Sequence, residues 1–317
     1  MSPPTIPRRA EKTLVIVNPV AGGGRARRAE PVVEDYFLKH GVRADFVHSR
    51  SSEDARRRAA EGVTAGCKCI VALGGDGVFH HVVNGALLDA PPAAAGAPLL
   101  GFLPAGNGND IATGLGIPGD PLAAARTFLT APARRVDLLR ARFAGGQTHL
   151  YAGVGGMGLD AEAAQLVHGK FRRLPGVLRY AGAGLAALRN FAPIELSAEI
   201  DGRSWQGRVL FVAVANAAAY GAGVRVAPDA VMDDGWLDVV LVGEMPWTEV
   251  LDALVEILRR DSRLERDQIV RFRARRVTLR AERPALFHGD GEILGHSPVE
   301  IEVLPAALRI PSPRSGL

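Results

Sequence analysis

Cysteine is nearly absent from this chain of 317 residues, which carries only Cys67 and Cys69. Their C-x-C spacing is too tight for an ordinary disulfide, and no second pair completes a structural zinc site, so a disulfide scaffold is excluded. Lysine is almost as rare. Of 38 basic residues only Lys12, Lys39, Lys68 and Lys170 are lysines, and the other 34 are arginines. With four tyrosines and no aromatic-basic recognition motif, that arginine excess gives little reason to expect nucleic acid, and none is expected as a partner. No membrane-spanning run occurs either: the longest charge-free stretch, Ala90 to Asn109, is broken by Pro91, Pro92, Pro98 and Pro104. Met1 to Lys12 holds Arg8, Arg9 and Lys12 without an apolar run before them or a small-residue cleavage site. A secretory leader is therefore not supported, and a cytoplasmic location is expected.

What is present is globular: 47% hydrophobic and 23% charged residues, net charge +4, and length enough for two lobes. The first 135 residues alternate apolar β-branched runs with longer polar, alanine-rich segments. Strands are expected at Leu14–Val17, Ala44–Val47, Cys69–Leu73 and Leu99–Leu103, and helices at Arg25–Lys39, Glu53–Ala65 and Phe79–Leu88. Near-continuously apolar strands of this kind belong in a parallel sheet covered on both faces. From Val136 onward the pattern turns mostly β, with strands expected at 136–143, 148–152, 194–200, 205–215, 237–242, 277–279 and 299–303. A hairpin is expected at Asp201-Gly202, and helices at Gly176–Arg189 and Trp247–Arg260. This half reads as an antiparallel sheet or sandwich.

Three glycine-rich segments follow three of the first-lobe strands: Asn18-Pro19-Val20-Ala21-Gly22-Gly23-Gly24, Gly74-Gly75-Asp76-Gly77, and Pro104-Ala105-Gly106-Asn107-Gly108-Asn109-Asp110. In a parallel sheet all three lie on one edge, where glycine lets backbone N–H groups approach phosphate. One such loop reads as an ordinary turn; three converging loops favour a polyphosphate site. A Walker loop is excluded, because Gly169-Lys170 is followed by Phe171. The G-x-G-x-x-G at Gly153, Gly155 and Gly158 lies in the β-rich half without a βαβ unit and reads as a decoy. Asp76 and Asp110, expected inside two loops beside polyphosphate, call for a cation, with Mg²⁺ the natural one. A base for an attacking hydroxyl must come from elsewhere. The turn His288-Gly289-Asp290-Gly291-Glu292 supplies one, and reads equally well as a hairpin with solvated acids. His80-His81 and the two cysteines read as packing residues rather than metal ligands or nucleophiles.

These motifs, in this order, together with Ala215-Asn216, Gly221-Ala222-Gly223 and Ala227-Pro228 running to Asp238, resemble the soluble diacylglycerol kinase family, which includes sphingosine kinases and bacterial lipid kinases. The resemblance covers nearly the whole chain. It implies an α/β plus β fold: a phosphofructokinase-like nucleotide lobe, residues 1–136 completed by 304–317, a β-sandwich lipid lobe, residues 137–303, and an active site in the cleft between them. It implies ATP lined by Asn18, Pro19, Val20, Ala21, Gly22, Ser49, Gly74, Gly75, Asp76, Gly77, Asn107 and Asn109. It also implies a catalytic Mg²⁺ organised through water by Asp76, Asp110 and Asp137, with Asp290 and Glu292 jointly as base. A structural Mg²⁺ is implied at Asp234 with the carbonyls of Val231 and Trp236, residues that also read as a plain β-turn.

The chain departs from the family pattern at Val78, in place of threonine, at His80-His81, in place of asparagine-glutamate, at Asn107, in place of threonine, and at Thr113, in place of arginine. The acidic positions Asp76, Asp110, Asp137 and Asp290 are retained, so an active kinase of a diacylglycerol-like or sphingoid lipid is expected. Such an enzyme meets its lipid peripherally at the inner membrane surface, where Gly169–Leu174 interleaves cations with apolar residues and Asp160 can face the head group. An exposed sheet edge offers two chains a way to pair as a homodimer. The rival readings are a kinase of a soluble acceptor, NAD or a sugar phosphate, and a catalytically idle nucleotide- or lipid-binding regulator.

Overall fold

A computed structural model describes residues 11–89, 96–159, 161, 192–219, 224–246, 249 and 266–313. The helix expected at Gly176–Arg189, all but Glu249 of the one expected at Trp247–Arg260, the Gly169–Leu174 segment, Asp160 and Gly221–Gly223 lie outside those residues. The chain divides into two compact units, Met1–Leu138 with Leu304–Leu317, and Leu139–Val303.

The first unit begins β1 (Thr13–Val17), α1 (Ala21–Lys39), β2 (Ala44–His48), α2 (Ser52–Thr64), β3 (Cys69–Gly74), α3 (Asp76–Leu87) and β4 (Leu99–Pro104). The four strands form an all-parallel sheet in the order β2-β1-β3-β4. β3 and β4 are buried at every residue, which is why their sequences read as unbroken apolar runs. Two short helices follow, α4 (Asp110–Gly114) and α5 (Pro121–Thr130). α5 opens on Asp120, whose carboxylate accepts from Ala123 N at 2.8 Å, with Pro121 at its first turn. α1 packs on α5 through Phe37 and Phe128, with ring centroids 5.9 Å apart, and α2 packs on α3. Right-handed crossovers require this pairing: β1 connects leftward through α1, while β2 and β3 connect rightward through α2 and α3. The sheet therefore changes winding direction between β1 and β3, the position at which open α/β sheets take their ligands.

The second unit continues from β5 (Ala133–Phe143) through β6 (Thr148–Tyr151), β7 (Val154–Gly158), β8 (Ile194–Ile200), β9 (Arg203–Ala215), β10 (Leu237–Gly243), β11 (Ile269–Ala274), β12 (Arg276–Ala281), β13 (Leu286–Gly289), β14 (Glu292–His296) and β15 (Val299–Pro311). β9 pairs with β8 along Arg203–Val209 and with β10 along Val209–Ala215, so the sheet forks at Val209. The two branches enclose one core that includes Leu139, Tyr151, Met157, Val212, Val239, Phe287 and Ile301, giving the sandwich. Ala213, Ala215, Val240 and Val242 point to a second cluster, so the central strands are buried on both faces. The expected hairpin is present: Asp201 and Gly202 form a two-residue turn with φ of 45° and 81°.

β7, β11, β13, β14, α4 and α5 were not among the expected elements. β7 holds three glycines in five residues, which weakens any strand signal. It pairs antiparallel with β9 and β13, so the G-x-G-x-x-G spacing contains no dinucleotide loop. The α3 expectation needs correction: the helix begins at Asp76, three residues before Phe79, because Gly75 is its N-cap. Asp76 and Asp110 are therefore first-turn helical residues rather than loop residues. Cys67 precedes β3 instead of lying within it, and both thiols are buried and free.

Candidate active site

The three glycine segments meet at the carboxyl edge of the parallel sheet and pack backbone on backbone. A Cβ at Gly22 would lie 2.1 Å from the carbonyl oxygen of Ala105, and one at Gly106 would lie 2.6 Å from the Cα of Gly75. Glycine is therefore demanded by close approach at both positions. Gly22, Gly23 and Gly24 all adopt left-handed angles before α1 turns right-handed. Main-chain bonds fix the assembly: Asn18 N donates to Leu73 O at 3.0 Å and Ala105 N to Gly74 O at 2.5 Å.

The expected nucleotide-lining residues divide by what their side chains already do. Asn18 Oδ1 accepts from Val20 N at 3.3 Å, closing the turn around Pro19, and Val20 projects with 70% exposure. Ser49 Oγ donates to Val17 O at 3.2 Å, tying the end of β2 to β1. Asn109 sits in the left-handed region at φ 59°, and its amide both accepts from Gly106 N and donates to Gly106 O, each at 3.0 Å. It shapes the loop, whereas Asn107 is exposed. Gly74 and Val78 pack together, the valine buried against the glycine, so the missing hydroxyl at Val78 is replaced by apolar packing. Ala21 and Gly77 are half-buried.

Arg25, which the motifs did not single out, joins the first and third loops. Its Nε donates to Ala105 O at 3.3 Å and its Nη2 to Gly106 O. The available signal was an arginine directly after three glycines, ambiguous among 34 arginines.

Asp76 accepts from the backbone N–H groups of Asp110 at 3.1 Å and Ile111 at 3.2 Å, so it holds the start of α4. Both carboxylates thus occupy helix N-termini, where the peptide dipoles favour negative charge without help from a cation. Asp137 is buried on β5, and its Oδ1 accepts from Ala306 N at 2.7 Å, where Ala306 takes φ 54°. Among the described residues no three acidic, histidine or cysteine side chains are grouped to hold a metal directly. Carboxylates at the starts of α3 and α4 can still accept hydrogen bonds from the waters of a hydrated Mg²⁺.

In the second unit Asp290 and Gly291 form the tip of the β13–β14 hairpin, with φ of 54° and 85°, and Glu292 opens β14 opposite Gly289. The hairpin reading is correct, but the aspartate is not merely solvated. Its two oxygens accept from Ala152 N at 3.0 Å and Gly153 N at 2.7 Å, which fixes the carboxylate plane. Tyr151, just before the dipeptide that holds the carboxylate, is buried against the Phe287 ring of β13. Burial pushes its hydroxyl well above the ordinary range, with the Asp290 charge adding to the effect, so it stays a neutral donor to Val214 O at 3.3 Å.

At the other implied metal position, Asp234 Oδ1 accepts from Trp236 N at 3.0 Å while its other oxygen binds Arg273. Val231 is exposed nearby in sequence, and Arg275 stacks 4.9 Å over the Trp236 ring. Burial lifts Asp238 to about 6, opposed by Arg273 and reinforced by Asp234 and Asp229. Arg273 places one positive charge beside this turn.

Residues 12–141 match the diacylglycerol kinase catalytic domain, and residues 153–312 match the YegS C-terminal NAD kinase beta sandwich-like domain. A relative from Xanthomonas euvesicatoria named "Probable lipid kinase YegS-like" is 33% identical over 281 residues, covering 87% of this chain and 88% of its own. The diacylglycerol kinase of Mycobacterium tuberculosis is 30% identical over 312 residues, covering 96% of each chain. A crystal structure of a diacylglycerol kinase from Bacillus anthracis superposes with TM-score 0.74 at 20% identity, over 97% of this chain and 98% of that one, a likeness of fold.

Proposed function

Since the chain belongs to the kinase family that carries the diacylglycerol kinase catalytic domain, we propose that it transfers the γ-phosphoryl group of ATP to a hydroxyl of a diacylglycerol-like or sphingoid lipid. The observation that carries the nucleotide half is the packing of Gly22 on Ala105 and Gly75 on Gly106 beside the reversal of winding in the parallel sheet. That packing gathers three glycine-rich loops, backbone against backbone, at the carboxyl edge of a parallel sheet, the place where phosphate groups are bound in open α/β sheets. The acceptor half rests on the relatives named as lipid kinases.

Phosphoryl transfer demands positioning and charge neutralisation more than covalent chemistry. Asn18, Pro19, Val20, Ala21, Gly22, Ser49, Gly74, Gly75, Gly77 and Asn107 line the nucleotide, with Asn109 and Arg25 setting the shape of the third loop. Bound Mg²⁺ would neutralise phosphate charge, and Asp76, Asp110 and Asp137 are the residues that would hold it through water. Asp290, oriented by two backbone N–H groups, and Glu292 together take the proton of the acceptor hydroxyl. The lipid is met peripherally at a membrane surface; among the described residues no helix is long and apolar enough to cross one.

The test is transfer of labelled γ-phosphate from ATP with Mg²⁺ into micellar diacylglycerol, monoacylglycerol, ceramide and sphingosine, with Asp290→Asn as control. NAD belongs in the same panel, because the second unit matches a sandwich described as NAD kinase-like. Labelled lipid that disappears in the variant supports the reading. Labelled NAD without labelled lipid favours the soluble-acceptor reading, and nucleotide binding without any product favours an idle regulator.

A further inference from the structure

Asp290 is held by a dipeptide that is itself held from the far side. The N–H groups of Ala152 and Gly153 donate to the Asp290 carboxylate, as described above. The carbonyl of Ala152 accepts from Asn216 Nδ2 at 2.9 Å, and the carbonyl of Gly153 accepts from the backbone N of Asn216 at 2.8 Å and of Ala217 at 3.2 Å. Asn216 is 1% exposed and stands just past the end of β9. A third bond, Asp290 N to Val154 O at 2.9 Å, completes the register between the hairpin tip and the 152–154 segment.

We propose that Asn216 is a positioning residue for Asp290, acting through the Ala152-Gly153 main chain and touching no substrate itself. This rests on the kinase reading above only where it concerns turnover. Asn216 anchors Ala152 through its side chain and Gly153 through its main chain, so only the Ala152 anchor is open to substitution. Removing the amide leaves the Ala152 carbonyl without this donor and frees the 152–153 segment to shift. Both N–H donors of Asp290 ride on that segment, so a shift there reorients the carboxylate. A displacement of about 1 Å in a catalytic group can lower turnover on the order of 100-fold. Because the nucleotide loops belong to the other unit, the effect falls on kcat rather than on the KM for ATP.

The experiment compares wild type, Asn216→Ala, Asn216→Ser and Leu279→Ala. The last is a buried β12 residue of the same unit, used to match the loss of melting temperature. Kinetics are read with the lipid panel, and the Gly153 amide is read by ¹H–¹⁵N NMR, where a bond to carboxylate shifts its proton downfield. Asn216→Ala is expected to lower kcat by about 10- to 100-fold with an unaltered KM for ATP, and to move the Gly153 amide. Leu279→Ala leaves both near wild type. Asn216→Ser, with a shorter hydroxyl donor, falls between them and takes over the measurement if the alanine variant does not fold. An unmoved Gly153 amide, or a kcat loss matched by Leu279→Ala, overturns the proposal. If wild type phosphorylates no lipid, the function reading fails, while the amide shift still decides whether Asn216 positions Asp290.

Discussion

Substituting Gly22 by alanine tests the nucleotide cradle against an internal control one residue away. Gly22 and Gly23 have nearly the same left-handed backbone, at φ 57° and 64°, so an alanine at either meets a similar intrinsic penalty, about 1 kcal/mol. Their surroundings differ. A Cβ at Gly23 meets nothing within 4 Å, whereas one at Gly22 falls 2.1 Å from Ala105 O, with Arg25 Nε and Nη2 at 3.0 Å. Real Cβ contacts stay beyond 3.0 Å, so the third loop must retreat by at least about 0.9 Å. It cannot do so cheaply, because Ala105 N is bonded to Gly74 O and its carbonyl to Arg25. Overpacking of this kind costs about 1–3 kcal/mol. With roughly 2–4 °C of melting temperature per kcal/mol for a unit of this size, Gly23→Ala should melt about 2–4 °C below wild type. Gly22→Ala should melt roughly 5–15 °C below it. Calorimetric titration with ATP and Mg²⁺ should show near-normal affinity for Gly23→Ala and a loss on the order of 10-fold or more for Gly22→Ala. If the two variants melt together and bind nucleotide alike, the close approach of the first and third loops does not govern the site, and the reasoning fails.

Arg25→Ala should raise the KM for ATP about 10-fold with little change in kcat, and Arg25→Lys should not restore it, because a single ammonium cannot reproduce the fork onto Ala105 and Gly106; a fully active lysine variant would refute this. Burial pushes Glu302 up, but Arg140, Arg142 and Arg276 outweigh it and hold its carboxyl below the usual range. A lowered folded-state value means the stabilisation is complete above the ordinary value of 4.5 and is lost as pH falls through the lowered one. Glu302→Gln should therefore destabilise by about 1–2 kcal/mol at neutral pH, with the gap from wild type closing in acid denaturation; a gap independent of pH would contradict the assignment. Burial lifts the Cys69 thiol to about 12 and also raises Cys67, so a thiol reagent at pH 8 should leave both unlabelled in the folded protein and modify two after denaturation. Rapid native labelling of Cys69 would show that β3 opens.

The parallel sheet of the first unit was legible because each of its signals is local. Apolar runs such as Cys69–Leu73 specify strands buried on both faces, and the glycine segments mark where those strands end. The sandwich was legible as a class, but several of its strands were not. β7 is rich in glycine, and β13 and β14 carry Gly289 and Gly295, so their strand signal is weak until their neighbours supply it. Helix starts were shifted for a related reason: Gly75 and Asn109 cap α3 and α4 without a side-chain capping bond, so no capping motif announced them.

Residue type and order along the chain specify which glycines and carboxylates gather after the strands, and with them the family and the fold class. What each of those residues does follows from its packing in space. Asp76 holds the start of α4, Asn109 closes its own loop, Arg25 ties two loops together, and Asp290 is set by Ala152, Gly153 and, through them, Asn216. These partners lie up to 138 residues apart in the chain. A hydrogen bond across such a separation leaves no spacing to read, because it is fixed by the packing of whole strands rather than by any local preference of the backbone.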